Sequence, residues 1–303
     1  MKEINFVGYK NFPLNVYVWD DVSNPVALVQ ISHGMSEYMG RYDDFAKHLN
    51  SKGFVVIGDD HRAHGKSCKC KLGVVEGDCF GDSVEDGLAI AKYAKDTYQL
   101  PIILFSHSYG TFLAQKMIEV CDDLYECVVM CGSAKESGAD IKVARIVARA
   151  QCVFKGSESP ARLIKKLSFG AYNKKFKGEK GEFVWGSRNV EKCKEYCLNK
   201  YCGFTLSAGF YKSMFDGMKN IYKSKNIKKI KNDLPILLIA GECDPVGKEG
   251  KLVKKLYNTY VDNDLKNVEM KFFKDDRHEL LNELDNQDVY QNVVEFFEKA
   301  LKK

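Results

Sequence analysis

A serine flanked by small residues is the side chain of this sequence best suited to nucleophilic chemistry. The segment S-H-S-Y-G (106–110) directly follows an apolar, β-rich run and opens a helical pattern over 109–121. A hydroxyl becomes a nucleophile when a sharp strand-to-helix turn exposes it and a base lies within hydrogen-bond reach. Ser106 and Gly110 are small enough to let the strand and the helix approach closely. The pattern therefore predicts that Ser108 is a nucleophile, with a serine-rich turn as the alternative.

Two later residues can complete a proton relay with that serine. Asp244, in G-E-C-D-P-V, follows one predicted strand, and His278, in D-D-R-H-E-L-L-N-E, follows the next. Taken singly, they would be a turn aspartate and a surface histidine. A histidine held between a carboxylate and a serine can take the hydroxyl proton and return it to the leaving group. The chain order Ser108, Asp244, His278 therefore predicts a catalytic triad, with Glu242 as the alternative acid.

A third segment can stabilise the charge that such an attack creates. The residues H-G-M-S-E-Y (33–38) directly follow the predicted strand 25–32. A loop at this place can aim a backbone N–H at the developing oxyanion, and the N–H after the nucleophile is the usual second donor. We therefore predict the main-chain N–H groups of Met35 and Tyr109 as an oxyanion hole.

These residues are positioned by a regular alternation of strands and helices. The sequence predicts a starting hairpin over 4–20, strands at 25–33, 54–60, 100–108, 125–133, 233–242 and 268–274, and core helices at 41–52, 84–98, 109–121, 247–260 and 285–301. Nearly continuous apolar strands that alternate with helices are typical of a parallel sheet covered on both faces. The predicted fold class is therefore α/β.

One stretch breaks this alternation. Residues 135–232 show no clear strand and hold two amphipathic segments, 141–154 and 204–222, so we predict a helical insertion between core segments 1–134 and 233–303. The insertion carries a net charge of +15, which leaves −10 for the rest of the chain. This charge indicates either a solvated, lysine-rich surface or a face directed at an anionic membrane or substrate.

Composition excludes several classes of protein. The chain has 303 residues, of which 45% are hydrophobic and 29% are charged, so it is not collagen-like, mucin-like or wholly disordered. No window approaches about 18 uncharged apolar residues, and the first residues hold no apolar stretch long enough for a signal peptide. We therefore expect a cytoplasmic protein.

The cysteines and histidines do not predict a metal site. Eleven cysteines are an odd number, so at least one is unpaired, and we expect reduced thiols. A zinc site usually has C-x2-C pairs or nearby histidines. Two groups of cysteines are closely spaced, namely Cys68 with Cys70, and Cys193 with Cys197 and Cys202. No histidine lies within residues 135–232 to complete a ligand set with the second group. His61 and His64 lack a full ligand set, so we predict neither metal nor cofactor.

Three segments give the chain a family resemblance: H-G-M-S-E-Y-M-G-R-Y (33–42), D-H-R-A-H-G-K-S (60–67) and S-H-S-Y-G (106–110). The sequence resembles the α/β-hydrolase superfamily, and within it the monoacylglycerol lipase and lysophospholipase group of serine aminopeptidase-type hydrolases. The resemblance covers almost the whole chain. It implies an eight-stranded, mostly parallel sheet, an inserted helical cap and no cofactor. Ser36, Tyr38 and Ala63 depart from the residues usual in the family and indicate a divergent member.

The resemblance also implies an activity. We expect hydrolysis of carboxylic esters through an acyl-enzyme, with monoacylglycerol- or lysophospholipid-type lipids as substrates. Glu37 and Arg41 match family positions that arrange the polar end of a glycerol ester, although residues four apart are equally compatible with an ion pair at a helix start. The insertion lies where the family has its cap, so we expect Phe210 and Met214 to line an apolar tunnel.

The sequence is also compatible with other functions. A peptidase or thioesterase can use the same scaffold, because a fold does not determine the acyl group. A non-catalytic binding protein is a third alternative. Peripheral contact with an anionic membrane is a further candidate, since amphipathic basic helices can lie on a lipid surface. Nucleic-acid binding has only the basic insertion in its favour and is not predicted.

Overall fold

The computed structural model describes residues 1–68, 71–121 and 123–302, so Cys70 lies outside the described residues. One eight-stranded sheet has the order β1-β2-β4-β3-β5-β6-β7-β8. Its strands are β1 Lys2–Val7, β2 Pro13–Trp19, β3 Ala27–Ser32, β4 Phe54–Asp59, β5 Ile102–His107, β6 Cys127–Cys131, β7 Ile236–Gly241 and β8 Val268–Phe273. β2 pairs antiparallel with β1 and β4, and the other pairings are parallel. The predicted mostly parallel, eight-stranded sheet is confirmed.

Helices follow the strands in the predicted alternation. In chain order they are α1 Asp43–Ser51, α2 Cys79–Tyr98, α3 Tyr109–Val120, α4 Ala139–Lys155, α5 Arg162–Phe169, α6 Val190–Leu198, α7 Ala208–Ile221, α8 Ser224–Ile227, α9 Lys251–Val261 and α10 Asn286–Leu301. Apolar residues of α2, α3 and α9 form one core cluster with the sheet, and those of α1 and α10 form another. The sheet is thus covered on both faces, which explains why β3 to β7 are buried along their whole length and are mostly apolar.

The helix α2 begins five residues earlier than the sequence predicts. The Asp78 side chain accepts the Gly81 N–H at 3.2 Å and caps the first turn. Cys79 and Gly81 are weak helix formers, so the sequence pattern did not predict that the helix begins this early. The added turn carries Phe80, whose N–H donates to the Ser213 hydroxyl at 2.8 Å. This bond ties α2 to α7.

The helices α4 to α8 all lie between β6 and β7, in the stretch predicted as an insertion. The two amphipathic segments correspond to α4 and α7, and these helices are joined by an ion pair between Arg145 and Asp216 at 2.8 Å. Within the described part of the insertion, β pairing is limited to one isolated bridge between Pro160 and Ser207. Helix packing therefore holds this region together.

Two further features bear on the expectations from the sequence. No disulfide joins the cysteines that the structure describes. Across the described ranges, the helices also fall short of the length and apolar character that crossing a bilayer requires.

Candidate active site

Ser108 lies in the turn between β5 and α3, where the backbone is strained. Its φ of 50° and ψ of −116° are rarely adopted by residues other than glycine. The Ser108 N–H donates to the Cys131 carbonyl at 3.0 Å, which holds the turn against β6. A Cβ at Gly110 would lie 2.1 Å from the Ser32 carbonyl oxygen, so the close approach of α3 to β3 requires glycine there.

The residue two before the serine departs from the usual glycine, and the structure shows how it fits. Ser106 is fully buried, and its hydroxyl donates to the Val129 carbonyl at 3.0 Å on the neighbouring strand. The side chain therefore points between β5 and β6 instead of crowding the turn.

The three residues predicted as a relay are brought together at the carboxyl ends of β5, β7 and β8. His278 Nε2 lies 2.9 Å from Ser108 Oγ, and His278 Nδ1 lies 2.9 Å from Asp244 Oδ2. The second oxygen of Asp244 accepts the Val246 N–H at 2.8 Å, which fixes the carboxylate. Glu242 is exposed to solvent, so the acid next to His278 is Asp244.

The surroundings of His278 allow its imidazole to accept a proton and to carry the resulting positive charge. Burial alone would lower the pKa of this imidazole, but the Asp244 carboxylate and its hydrogen bond outweigh burial, and the pKa lies above its ordinary value of 6.5. With Nδ1–H donating to Asp244, the unprotonated Nε2 faces the Ser108 hydroxyl. The arrangement can take the hydroxyl proton and stabilise the imidazolium that results.

Two backbone N–H groups beside Ser108 are available for an oxyanion. Gly34 N–H donates to Glu37 Oε1 at 2.6 Å and Ser36 N–H donates to His64 Nε2 at 3.1 Å. Within the described residues, the N–H of Met35 between them has no protein acceptor, nor has that of Tyr109 in the first turn of α3. Both residues line the same cavity as Ser108. The first turn of a helix also carries a positive partial charge that favours an anion.

Stacked histidines support the loop that carries Met35. The His33 and His61 rings stack with centroids 4.0 Å apart, and His64 lies edge-on to His33 at 5.3 Å. Burial lowers the pKa of His64 to about 4, so its neutral ring can accept the Ser36 N–H.

The nitrogens of these rings already have protein partners. His33 contacts the Gly34 carbonyl and the His61 N–H, His61 contacts Asp59 and Ser32, and His64 contacts the Arg62 carbonyl and the Ser36 N–H. Since every nitrogen of these three rings already has a protein partner, the histidines stabilise the loop and are not available as metal ligands.

Glu37 and Arg41 form the ion pair that their spacing allows, and the pair is largely shielded from solvent, with side-chain exposures of 4% and 11%. Glu37 accepts from Arg41 at 2.5 Å, from the Tyr42 hydroxyl at 2.9 Å and from the Gly34 N–H. Arg41 also donates hydrogen bonds to both carboxylate oxygens of Glu279, the residue after His278, at 2.7 and 2.6 Å. Burial would raise the pKa of Glu37, but Arg41 outweighs it and the pKa lies well below its ordinary range. The network links the Met35 loop to the His278 loop.

A cavity of about 950 Å³ opens above Ser108 and His278. Its wall combines β-strand ends with the insertion, and the large apolar lining residues include Phe112, Phe169, Trp185, Tyr211, Met214, Phe215 and Met218. Drug-sized ligands occupy cavities of roughly 300–1,000 Å³. A single hydrocarbon chain therefore fits here.

The comparison with protein families decides the classification. Residues 23–285 match the sequence model of the family described as serine aminopeptidase, S33. The chain belongs to this family. The match spans the turn at Ser108, the insertion, Asp244 and His278, so this S33-family chain carries the whole predicted relay inside the matched region.

Several curated proteins are similar over part of the chain. The monoglyceride lipase homolog of Monkeypox virus is 37% identical over 106 residues, and the monoglyceride lipase of Homo sapiens is 34% identical over 97 residues. The monoacylglycerol lipase of Mycolicibacterium smegmatis is 31% identical over 108 residues. These alignments cover 35%, 32% and 36% of this chain, and 37%, 31% and 38% of the respective relatives. The similarity thus spans only about a third of those relatives.

Solved structures match the S33-family chain over its whole length. A structure described as a lipase in its open form has a TM-score of 0.90 at 23% identity and covers 100% of this chain and 99% of its own. A carboxyl esterase from Bacillus coagulans has a TM-score of 0.90 at 23% identity, with 99% and 98% covered. At this identity the likeness shows the fold, and the predicted α/β-hydrolase fold is confirmed.

Two of the residues assigned to substrate contact lie elsewhere in this S33-family chain. Phe210 is 1% exposed and packs against Tyr109 and His64, with centroids 5.2 and 5.6 Å away, and it does not line the cavity. Arg41 is also outside the cavity wall, since Glu37 and Glu279 enclose its guanidinium. Met214 and Glu37 do line the cavity. The helical pattern predicted the buried face of α7. It did not distinguish the residues of that face that pack in the core from those that line the cavity.

Proposed function

We propose that this S33-family chain hydrolyses carboxylic esters through an acyl-enzyme on Ser108, and that its substrates are monoacylglycerol- or lysophospholipid-type lipids. The observation that carries the proposal is the Ser108–His278–Asp244 relay at the floor of a large, mostly apolar cavity. The nucleophile, its base and the space for an acyl chain thus occur in one place.

In the proposed reaction, Ser108 attacks the acyl carbon while His278 takes its proton. The carbonyl oxygen becomes negative and receives the N–H groups of Met35 and Tyr109, each of which is expected to contribute about 10²- to 10³-fold to kcat. His278 then gives the proton to the leaving alcohol, and the acyl group stays on Ser108. A water molecule activated by the same imidazole releases the acid, and the serine regains its proton. Asp244 orients the imidazole throughout.

Ion pairing of the two carboxylates near His278 other than Asp244 favours an ester over an amine-bearing substrate. An aminopeptidase must hold a free ammonium group, for which a spare carboxylate is needed. Of the four acidic residues that line the described cavity, Glu37 and Glu279 are already paired with Arg41, and the other two are Glu136 and Glu182. The wall also holds four basic residues, Arg162, Lys165, Lys166 and Lys248. The similarity to monoglyceride and monoacylglycerol lipases supports the same substrate class.

A panel of monoacylglycerols, lysophospholipids, thioesters and aminoacyl amides tests the substrate class. We expect turnover of long-chain monoacyl esters to exceed that of aminoacyl amides and thioesters. Faster cleavage of the amides would instead favour the peptidase alternative.

We predict that Met214→Asp reduces activity on long-chain esters far more than on acetate esters. The substitution puts a charge on the cavity wall, where an acyl chain would otherwise bury apolar surface worth about 1.5–3 kcal/mol per large side chain. The ratio of kcat/KM for a long-chain and an acetyl ester is the measurement. Met214→Leu, which conserves volume, should keep the wild-type ratio. Equal losses on both esters in Met214→Asp would mean that this residue supports only folding.

A surface on the insertion supports a second proposal, peripheral contact with anionic membranes. Helices α4 and α5 expose several large apolar side chains, namely Val143, Ile146, Val153, Phe154, Leu163 and Leu167, and Phe154 is 84% exposed. Lys142, Lys155, Arg162 and Lys166 are interspersed with them in the sequence. Apolar side chains beside basic ones match the interface of an anionic bilayer.

We predict that Phe154→Ser weakens binding to phosphatidylserine vesicles by roughly 10- to 100-fold, because burial of the ring is worth about 1.5–3 kcal/mol. Wild-type binding should also fall steeply between low and high salt. Sedimentation with vesicles measures both effects. Val7→Ser, which removes an exposed apolar side chain from β1 in the core sheet, is the matched control. Binding that is insensitive to salt and to Phe154 would leave the charge of the insertion as a solubilising surface.

A further inference from the structure

A short segment of the insertion packs against the loop that carries His278. We call residues 183–188 the brace. The Trp185 ring lies against the His278 ring with centroids 5.5 Å apart, and the Gly186 carbonyl accepts the Glu279 N–H at 2.7 Å. The brace therefore contacts the imidazole itself and the residue directly after it.

The end of the brace is tied to the same loop by one arginine. Arg188 contacts Asp276, Glu283 and Asp285, with 3.0 Å between its Nε and Glu283 and 2.6 Å between a terminal nitrogen and Asp285. Its backbone N–H also donates to Glu283 at 3.1 Å. Among the described residues these three carboxylates form the one group close enough together to hold a metal ion. The Arg188 guanidinium takes the place of a cation there.

A reciprocal set of bonds runs from the loop to the brace. The Arg277 guanidinium donates to the Val184 carbonyl at 2.6 Å, and it pairs with Glu179 just before the brace at 2.5 Å. The Ser187 hydroxyl donates to the Asn282 carbonyl at 2.9 Å. Contacts on both sides of His278 thus fix the position of the loop relative to the brace.

The same loop supports the orienting acid. The Cys243 N–H, directly before Asp244, donates to the Asp276 carbonyl at 2.9 Å. Asp276 is fully buried, and burial together with the nearby Glu283 raises its pKa to about 7. Without Arg188, two buried carboxylates would repel each other inside the loop that bears both His278 and the support for Asp244.

We propose that the brace aligns His278 with Ser108 and Asp244, and that Arg188 is a positioning residue for the reaction. The insertion then has two parts with different tasks. The helices α4 and α5 present an exposed apolar surface on one side and line the cavity on the other, and the brace forms the wall next to His278. The inference rests on the proposed ester hydrolysis, because it assigns Arg188 a role in the orientation of that base.

Arg188→Gln tests the proposal with a short, water-soluble p-nitrophenyl ester. A displacement of about 1 Å at a reacting group can cost up to 10²-fold, so we expect kcat per titrated site to fall about 10- to 100-fold with little change in KM. Added guanidinium ion, at a concentration that does not denature the protein, should restore part of kcat.

Controls separate alignment from folding. Arg149→Gln removes an arginine of α4 that pairs with Asp216 and should keep wild-type kcat. If Arg188→Gln does not fold, Arg188→Lys keeps the charge but not the planar fork, and it should still lower kcat. Wild-type kcat per site in the folded Gln variant, or in Lys where Gln does not fold, would overturn the inference. Failure of the wild-type chain to turn over any ester would count against the proposed function instead.

Discussion

Ser108→Ala should abolish ester hydrolysis, with kcat lower by about 10⁴- to 10⁶-fold. In the proposed reaction this hydroxyl forms the acyl-enzyme, and its oxygen lies 2.9 Å from His278 Nε2. Alanine removes only that oxygen, so the strained turn and the sheet around it are expected to remain folded. The measurement is kcat on the best ester of the panel, with circular dichroism as the check on folding.

The neighbouring serine supplies the matched control for this variant. Ser106→Ala removes a hydroxyl that donates to Val129 within the sheet and does not face the cavity, so it should retain activity. Its cost is the loss of one buried hydrogen bond, about 1 kcal/mol of unfolding free energy. If Ser108→Ala kept more than a tenth of the wild-type kcat, the nucleophile would have to be another residue.

His278→Ala should be as severe as Ser108→Ala, and the double variant should be no worse than either. The base and the nucleophile act as a unit, so removal of one leaves the other without a function. Kinetics of the two single variants and the double variant test this directly. Additive losses would mean that His278 contributes to catalysis by a route independent of Ser108.

The pH profile gives a second test of the same imidazole. Attack requires neutral His278, whose pKa lies above 6.5, so kcat/KM should fall as the pH drops through a midpoint above 6.5. Asp244→Asn removes the charge that raises this pKa and leaves the burial that lowers it. The midpoint should therefore move to lower pH in that variant, while the maximal rate also falls. An unchanged midpoint would contradict the role of Asp244 as orienter.

Much of the reaction centre was predictable because its signals are local. The apolar runs predicted the strands, and the small residues around Ser108 predicted the strand-to-helix turn that carries the candidate nucleophile. Asp244 and His278 could be placed because each directly follows a strand, and the carboxyl ends of parallel strands meet at one edge of a sheet. These are properties of short segments and of chain order, which the sequence carries explicitly.

The support around the triad could not be predicted in the same way. The contacts of Arg188 with Asp276, Glu283 and Asp285 join residues about 90 positions apart, and no periodicity marks them. The misplacement of Phe210 has a related cause. A helical pattern identifies an apolar face, but it does not distinguish the core side of that face from the cavity side. The only available signal for the brace was an arginine next to a glycine- and aromatic-rich stretch, which is not specific.

Covalent labelling with a fluorophosphonate followed by peptide mass spectrometry tests the central claim most directly. Ser106 and Ser108 fall in one tryptic peptide, residues 96–116, so fragmentation must assign the modified serine. The relay predicts a single adduct on Ser108 of the wild-type protein, none in Ser108→Ala, and strongly slowed labelling in His278→Ala. An adduct on another residue, or no adduct on a folded wild-type protein, would contradict the account.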